Sequence, residues 1–564
     1  MDDLKAKGWV KDPRTRYYID PRRILWKSEG TDAIVERAEQ LLSGRDGQAT
    51  LTRENGCMLR SGTESHAGLL IDFGLELQGG IQLCCWYASD SRKTVKLRVR
   101  FGESAMEAMS GLGGESNAGN DHAVRDQVVE VSSFLGTTEI GHTGFRFVRI
   151  DLLELGCEIE LKSLRGVCLL RDIPYTGSFH CSDPLLERIW QTGAYTVHLN
   201  MQEYLWDGIK RDRLVWIGDM HPEVAAIGAV FGYNEVVPKS LDLVRDNTPL
   251  PGWMNGIPSY SAWWIWIQYD WYQHNGDISY LREQKAYLLA LIGQFDESID
   301  SEGHFHDPRP FLDWPTSPNR TGVEAGVHAL LVAAVAAGSE LCALLDESDA
   351  ELRCQDIEMR LRKRVPDHGG SKQAAALLAL SGILESSAVN RDVLAAGGAR
   401  GISTFLGYYV LKARAEAGDI GGSLDCIREY WGGMLSLGAT TFWEDFNLDW
   451  LENAARIDEL TPDGQIDVHG RYGDYCYKGY RHSLCHGWAA GPTAWLSEYV
   501  LGIRIKEAGC KVVEVRPMLG DLDWAEGSFP TPSGALRVKH EKRSDGTIAT
   551  EIEAPSGVTV LRAD

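Results

Sequence analysis

The sequence has no Cys-x-x-Cys pair and no close cysteine–histidine cluster. A tetrahedral zinc site needs such spacing, so no metal site is expected. No apolar run reads as long enough to cross a bilayer. The opening Met-Asp-Asp-Leu-Lys-Ala-Lys lacks the apolar stretch of a signal peptide. The twelve cysteines, with Cys84 and Cys85 adjacent and the rest scattered, do not resemble a disulfide-stapled secreted scaffold. Buried free thiols in a reducing compartment are expected, and a cytoplasmic location with them. Positive charge is also in short supply. There are 57 Lys and Arg against 80 Asp and Glu, a net charge of −23, and the acidic residues are spread along the chain. That field disfavours nucleic acid, anionic membrane and polyanionic substrates, and leaves a neutral substrate as the expectation. Homo-oligomerisation stays open.

An apolar fraction of 44% over 564 residues is that of a folded chain with room for several domains. Tryptophan is abundant: 14 of the 18 lie between Trp190 and Trp495. Aromatic faces stack on the C–H faces of sugar rings, so such a region suits carbohydrate. The same residue serves equally well as core filler.

Three textures follow one another. Residues 1–175 read as strands separated by Gly-rich turns, with β-rich runs at 82–87, 94–101 and 145–152, and with a loop at 110–120. This suggests a β-sandwich. Ser182-Asp183-Pro184 is a helix start, with Leu185, Ile189 and Leu199 at helical spacing behind it. Helical patterns then recur at 261–274, 277–295, 322–345, 373–384, 403–417, 423–435 and 492–501. Some, such as 327–337, are apolar nearly all round, which marks burial on several sides. An α/α barrel over 176–505, its inner ring shielded by an outer one, fits this pattern; a solenoid is not excluded by periodicity alone. Residues 506–564 return to strands, with a turn at Arg543-Ser544-Asp545-Gly546, and suggest a small second β-sandwich.

The densest charge lies in Asp207-Gly208-Ile209-Lys210-Arg211-Asp212-Arg213-Leu214-Val215-Trp216-Ile217-Gly218-Asp219. Charges among residues that want burial need partners, so a buried ion-pair network is the structural alternative to a reactive site here. A second cluster is Gly438-Ala439-Thr440-Thr441-Phe442-Trp443-Glu444-Asp445-Phe446. Aromatic surroundings disfavour an ionised carboxyl at Glu444; a helix capping box is the competing reading. A third is Ser483-Leu484-Cys485-His486-Gly487-Trp488. Lesser candidates are Asp313-Trp314 and the Trp263-Trp264-Ile265-Trp266 run. Two separated carboxyls in a Trp-rich cleft suit glycoside hydrolysis: one protonates the leaving oxygen, the other activates water or attacks the anomeric carbon.

These segments, in this order, resemble the α-L-rhamnosidases, whose catalytic domain is an (α/α)6 barrel. The resemblance covers most of the chain from Tyr175 onward. The family carries Asp-Cys-Pro-Gln-Arg-Asp-Glu-Arg-Leu-Gly-Trp-Thr-Gly-Asp, and 207–219 is similar but one residue shorter. Anchoring on Arg213-Leu214 and Trp216-Ile217-Gly218-Asp219 places Asp212 where the family has its general-acid Glu. Anchoring on Arg211-Asp212 instead deletes the acid. The first alignment is preferred because it keeps the spacing to Trp216 and Asp219. Gly-Ala-Thr-Thr-x-Trp-Glu places Glu444 at the family's general base. His486 matches its sugar-binding histidine, and Asp313-Trp314 its Gly-Asp-Trp segment. Arg516-Pro517, Gly520-Asp521-Leu522, Trp524-Ala525 and Pro532-Ser533-Gly534 resemble its C-terminal signature. The resemblance implies an exo-acting inverting glycosidase that needs no cofactor and releases terminal α-L-rhamnose or a related sugar. Asp212, Glu444 and Asp219 would be catalytic; Asp207, Arg211, Trp216, Asp313, Trp314, Trp443 and His486 would bind substrate. Two other functions compete: a non-catalytic carbohydrate-binding protein on the same scaffold, favoured by the missing Glu, and an α/α-barrel polysaccharide lyase. The lyase would use Tyr472, Tyr475, Tyr477 or Tyr480 with His482 or His486.

Overall fold

The computed structural model describes residues 8–89, 94–112, 120–475 and 478–563. The opening residues 1–7, Tyr477 and the greater part of the expected 110–120 loop lie outside the described residues.

The N-terminal domain is built on one hydrogen-bonded sheet, nine-stranded among the described residues. Ile34–Glu36, Cys57–Arg60, Glu158–Arg171, Gly68–Ala88, Phe134–Leu152, Thr94–Gly102 and Asp126–Ser132 neighbour one another in that order. Arg14–Ile19 adds to Glu158–Arg171, and Arg23–Lys27 to Gly68–Ala88. The two longest strands have 21 and 19 residues, and their pairing shifts between Asp72 and Leu77 and between Gly79 and Gly80. Bulges of this kind bend a strand. Gly79 has φ 144°, and a Cβ there would meet the Val167 carbonyl oxygen at 2.2 Å, so only glycine fits. Phe73, Leu77, Phe101 and Phe145 fill the core beneath, packed edge to face where Phe145 meets its neighbours. Each such buried side chain contributes roughly 1.5–3 kcal/mol.

The helical region closes on itself. Among the described residues, six helices form an inner ring: Ile217–Val230, Pro258–Asn275, Arg320–Leu344, Lys372–Leu380, Gly407–Glu416 and Gly491–Trp495. Each packs on the next, and the last packs on the first. Between them in sequence run the outer helices: Pro184–Asn200, Val236–Asp246, Ile278–Ser298, Ser348–Leu361, Ser386–Val389 and Ile420–Cys426. Strict inner–outer alternation is an (α/α)6 barrel, and ring closure removes the solenoid alternative. The periodicity explains the layering. Ser348–Leu361 buries only Cys354, Ile357 and Leu361, one stripe facing inward. Inner helices bury nearly every side, as with Trp263 and Trp264 in Pro258–Asn275.

One expectation is corrected here. Arg320–Leu344 is 25 residues long and is apolar and long enough, by length and composition, to cross a membrane. It is an inner-ring helix, and its apolar character answers to barrel neighbours on all sides.

Two small sheets complete the chain. Ser178–Cys181, which precedes the barrel, pairs with Trp524–Thr531, followed by Gly534–Lys542 and Ile548–Glu553. Ile503–Glu507, Val512–Val515 and Thr559–Arg562 form the other. The eleven described cysteines are all free and buried.

Candidate active site

The loop between Pro184–Asn200 and the inner helix Ile217–Val230 forms one wall of a cavity of about 770 Å³ at one end of the barrel. This volume is in the range of ligand pockets, roughly 300–1,000 Å³. The loop is clasped at its ends. Asp207 N–H donates to the Leu214 carbonyl at 3.1 Å, and Leu214 N–H donates back to Asp207 Oδ1 at 2.9 Å. Gly487 N–H donates to the Asp207 carbonyl at 2.9 Å, which fixes the His486 segment beside it. At the tip, Asp212 and Arg213 both have left-handed backbone, φ 57° and 50°. Non-glycine residues hold such a conformation at a cost, and it clusters at functional sites.

Asp207, Arg211, Asp212, Trp216, Asp219, Trp314, Glu444 and His486 all line the cavity. Arg211 is the hub. Its Nη1 lies 2.9 Å from Asp212 Oδ2, its Nη2 pairs with both Glu444 oxygens, and its Nε donates to the Arg481 carbonyl at 2.9 Å. Glu444 is therefore turned toward the 207–219 loop. It is not a helix cap: no helix starts at 440–444, and Thr441 Oγ1 donates to the Leu484 carbonyl at 2.7 Å. Instead Glu444 N–H donates to the Ser483 carbonyl at 3.0 Å, and Ser483 N–H donates to Glu444 Oε2 at 3.2 Å.

Asp219 Oδ2 lies 3.1 Å from His486 Nε2. Burial, and then the charge of Arg211, hold His486 well below the usual histidine range, so the ring is neutral there. Burial raises Asp207 well above the usual carboxylate range, with Asp212 adding to it. Asp219 is raised in the same way, first by burial and then by Asp207.

An acid role for Asp212 requires Lys210, Arg211 and Arg213 to pair elsewhere, most simply with Asp207 and Asp219, and the structure differs. Arg211 pairs with Asp212 itself and with Glu444. Lys210 turns away to Glu103 and Glu107, and Arg213 donates to the His142 carbonyl at 2.9 Å. Two other candidates sit behind the wall rather than on it. Trp443 is 1% exposed and packs edge-on against Phe446. Asp313 is buried, accepting from Thr316 N–H at 2.9 Å and from Ser403 Oγ at 3.0 Å. Residues not foreseen on the wall are Trp253, Tyr260, Phe305, Phe311 and Arg481, and Trp488 of the third cluster lies there too. Trp253, Phe305 and Phe311 stand alone in unremarkable stretches, so no local pattern marks them. Among the described residues, the His/Asp/Glu group with ligand atoms close enough for a metal is Glu103, Glu107 and His469. Lys210 Nζ, 3.4 Å from His469 Nε2, already supplies a cation there.

Three variants test this placement. Trp314 is 36% exposed and stacks on Tyr475 at the rim. Trp314→Ala should raise KM about 10-fold, the loss of roughly 1.4 kcal/mol of stacking, with little change in melting temperature. Trp443→Ala should cost about 3–5 kcal/mol of stability. An unchanged KM in Trp314→Ala would remove it from the binding surface. Asp445, beside Glu444, is pushed up to about 7 by burial and then by the Glu444 charge. The folded state therefore keeps a proton that the unfolded chain releases above about pH 4. Stability falls as pH rises from about 4 to 7, by on the order of 4 kcal/mol at most. Asp445→Asn should flatten that slope in denaturant titrations at pH 5 and pH 8; an unaltered slope would assign it to other groups.

An (α/α)6 barrel with carboxyls and aromatics gathered at one end defines the six-hairpin glycosidase class of fold. Residues 174–367 match the bacterial alpha-L-rhamnosidase 6 hairpin glycosidase domain, and residues 502–561 match the bacterial alpha-L-rhamnosidase C-terminal domain. The chain thus carries two stretches that match α-L-rhamnosidase family domains. An alpha-L-rhamnosidase of Alteromonas sp. (strain LOR) is 23% identical over 484 residues, 74% of this chain and 49% of that protein. The GH78 family rhamnosidase of Bacillus sp. GL1 superposes with a TM-score of 0.72 at 22% identity, over 93% of this chain and 55% of that one. A rhamnosidase from Klebsiella oxytoca with rhamnose bound gives 0.68 at 17% identity, over 88% of this chain and 98% of that one. These likenesses show the shared fold. The chain spans about half the length of the curated relative that it matches.

Proposed function

We propose that this protein is an exo-acting glycosidase that releases terminal α-L-rhamnose or a related sugar with inversion. The observation that carries the reading is the placement of Glu444 and Asp212 on the same cavity, each held by a different arm of the Arg211 guanidinium. A cation interposed between two carboxyls keeps them from touching. An inverting pair stands roughly 6.5–9.5 Å apart, with room for the attacking water. Glu444 is the base that deprotonates this water. Asp212, with 17% of its side chain exposed, reaches further toward the cavity opening than Asp219 at 4%. It is the donor to the leaving-group oxygen. Asp219, His486 and Asp207 bind the sugar hydroxyls, and Trp216 with Tyr260 gives an apolar wall for a deoxysugar methyl. The relatives named as rhamnosidases support this choice of sugar. The buried free thiols suit the cytoplasm.

The lyase reading loses support from the same geometry. Tyr480 OH donates to Asp467 at 2.5 Å, Tyr472 is stacked on Trp450, and His482 Nε2 accepts from Asp445 N–H at 2.9 Å. The test is NMR of the sugar first released from an aryl α-L-rhamnoside. The β-anomer is expected. First release of the α-anomer would overturn inversion, and no release from any α-L-rhamnoside would return the site to a binding role.

A further inference from the structure

The inference drawn here rests on the hydrolase reading above and concerns what holds its two carboxyl-bearing segments together. Lys210 adjoins Arg211 but faces away from the cavity, and its side chain is 1% exposed. Its Nζ lies 3.0 Å from Glu103 Oε2 and 3.4 Å from Glu107 Oε1, both wholly buried in the N-terminal domain. The same ammonium donates to the carbonyls of Tyr480 at 2.7 Å and His482 at 2.5 Å. Glu103 Oε2 also accepts from Leu484 N–H at 2.5 Å. One lysine thus ties three separate stretches of chain: the N-terminal domain, the 207–213 loop, and the 480–486 segment. The last of these holds Glu444 through Ser483 and leads into His486.

The N-terminal domain is shaped to reach this point. Glu107 lies in the short helix Ala105–Met109, whose first N–H donates to the Ile457 carbonyl at 2.8 Å. Ser104 caps that helix and its hydroxyl lies 2.7 Å from His469 Nδ1. Gly144 N–H donates to the Ile209 carbonyl at 2.9 Å, and a Cβ on Gly144 would come within 2.9 Å of Lys210 N. The sheet lies flat against the site loop because that residue is glycine. The titratable groups around the cluster include Arg125, 3.7 Å from Glu107, His122 at 4.0 Å, His469 at 3.8 Å, and buried Glu76, with both histidines held low by burial.

We infer that Lys210, Glu103 and Glu107 form a positioning cluster through which the N-terminal domain sets the loop carrying Asp212 against the segment that carries Glu444. Burying an ammonium and two carboxyls is poor value for stability, since apolar groups of equal volume do as well or better. What the charges supply is direction. A lysine ammonium has three donors and no acceptor, and here it fixes two backbone carbonyls and a carboxylate at once. Arg211 and Glu444 then meet only if both segments are in place.

Lys210→Met alone strands two buried carboxyls, so the decisive variant is K210M/E103Q/E107Q, which removes the charge at nearly constant volume. Three readouts are compared with wild type: melting temperature, kcat and KM on an aryl α-L-rhamnoside, and backbone hydrogen exchange over 207–213 and 480–486. The triple variant should melt within a few degrees of wild type, lose about 100-fold in kcat with a smaller change in KM, and exchange faster in both segments. Misplacement of reacting groups by about 1 Å is enough for a loss of that size. A triple variant with wild-type kcat and unaltered exchange would overturn the proposal, as would one that loses kcat with both segments fully protected. If the wild-type protein cleaves no rhamnoside, the substrate reading fails, and the exchange comparison still decides the role of the cluster.

Discussion

Glu444→Gln is expected to lower kcat by about 10²–10⁴-fold, the range for loss of a general base, while sugar binding survives. The amide keeps the shape of the side chain and can still accept from Ser483 N–H, as Glu444 Oε2 does at 3.2 Å. It cannot take a proton from water. The substitution also removes one of the two carboxylates on Arg211, which keeps Asp212 and the Arg481 carbonyl as partners. A modest drop in melting temperature should accompany the loss of turnover. Breaking a buried pair outright would cost about 3–5 kcal/mol, and a residual partner reduces this. Calorimetry with L-rhamnose and turnover of an aryl α-L-rhamnoside, run on the same preparation, separate the two effects. Retained turnover would remove Glu444 from the base role; loss of binding together with turnover would make its link to Arg211 the important one.

Asp212→Asn should abolish cleavage of poor leaving groups and largely spare activated ones. A general acid is needed in proportion to the basicity of the departing oxygen, so kcat/KM on an alkyl α-L-rhamnoside should fall by about 10²–10⁴-fold. Loss on a nitrophenyl rhamnoside should be small by comparison. The electrostatics make this the more demanding of the two predictions. Asp207, Asp212, Asp219 and Glu444 share one cavity with Arg211. Asp207 and Asp219 are the members raised by burial. For Asp212 to act as donor, Arg211 has to side with Glu444 when substrate is bound. Equal loss on both kinds of substrate would give Asp212 a sugar-positioning role and move the acid to Asp219. Full activity on both would take Asp212 out of the mechanism.

Local pattern was enough to recover much of this protein. The change from alternating strands to helical spacing at Ser182-Asp183-Pro184 marks the barrel's first helix, which starts at Pro184 with Asp183 as its cap. The apolar stretch 327–337 was legible as a helix buried on several sides, because an inner-ring helix cannot have a polar face. The helix Ile217–Val230 was not, because Pro222 lies inside it and proline reads as a breaker. The three short segments around Asp212, Glu444 and His486 stood out by residue type, since charges and small residues among aromatics are unusual company.

What the sequence by itself determined is the order of the three parts, the layered helices, and three of the segments that line the cavity. Each of these depends on residues a few positions apart. Tertiary structure alone decided ring closure and the partner of every site charge. Arg211 meets Glu444 across 233 residues, and Glu103 meets Leu484 across 381. Neither distance leaves a mark on local spacing. Trp314 and Trp443 look alike as aromatic neighbours of a carboxyl, yet one stands at the rim and the other behind the wall. Only the packing of distant helices sets which face of a loop meets solvent, and with it which carboxyl is free to give or take a proton.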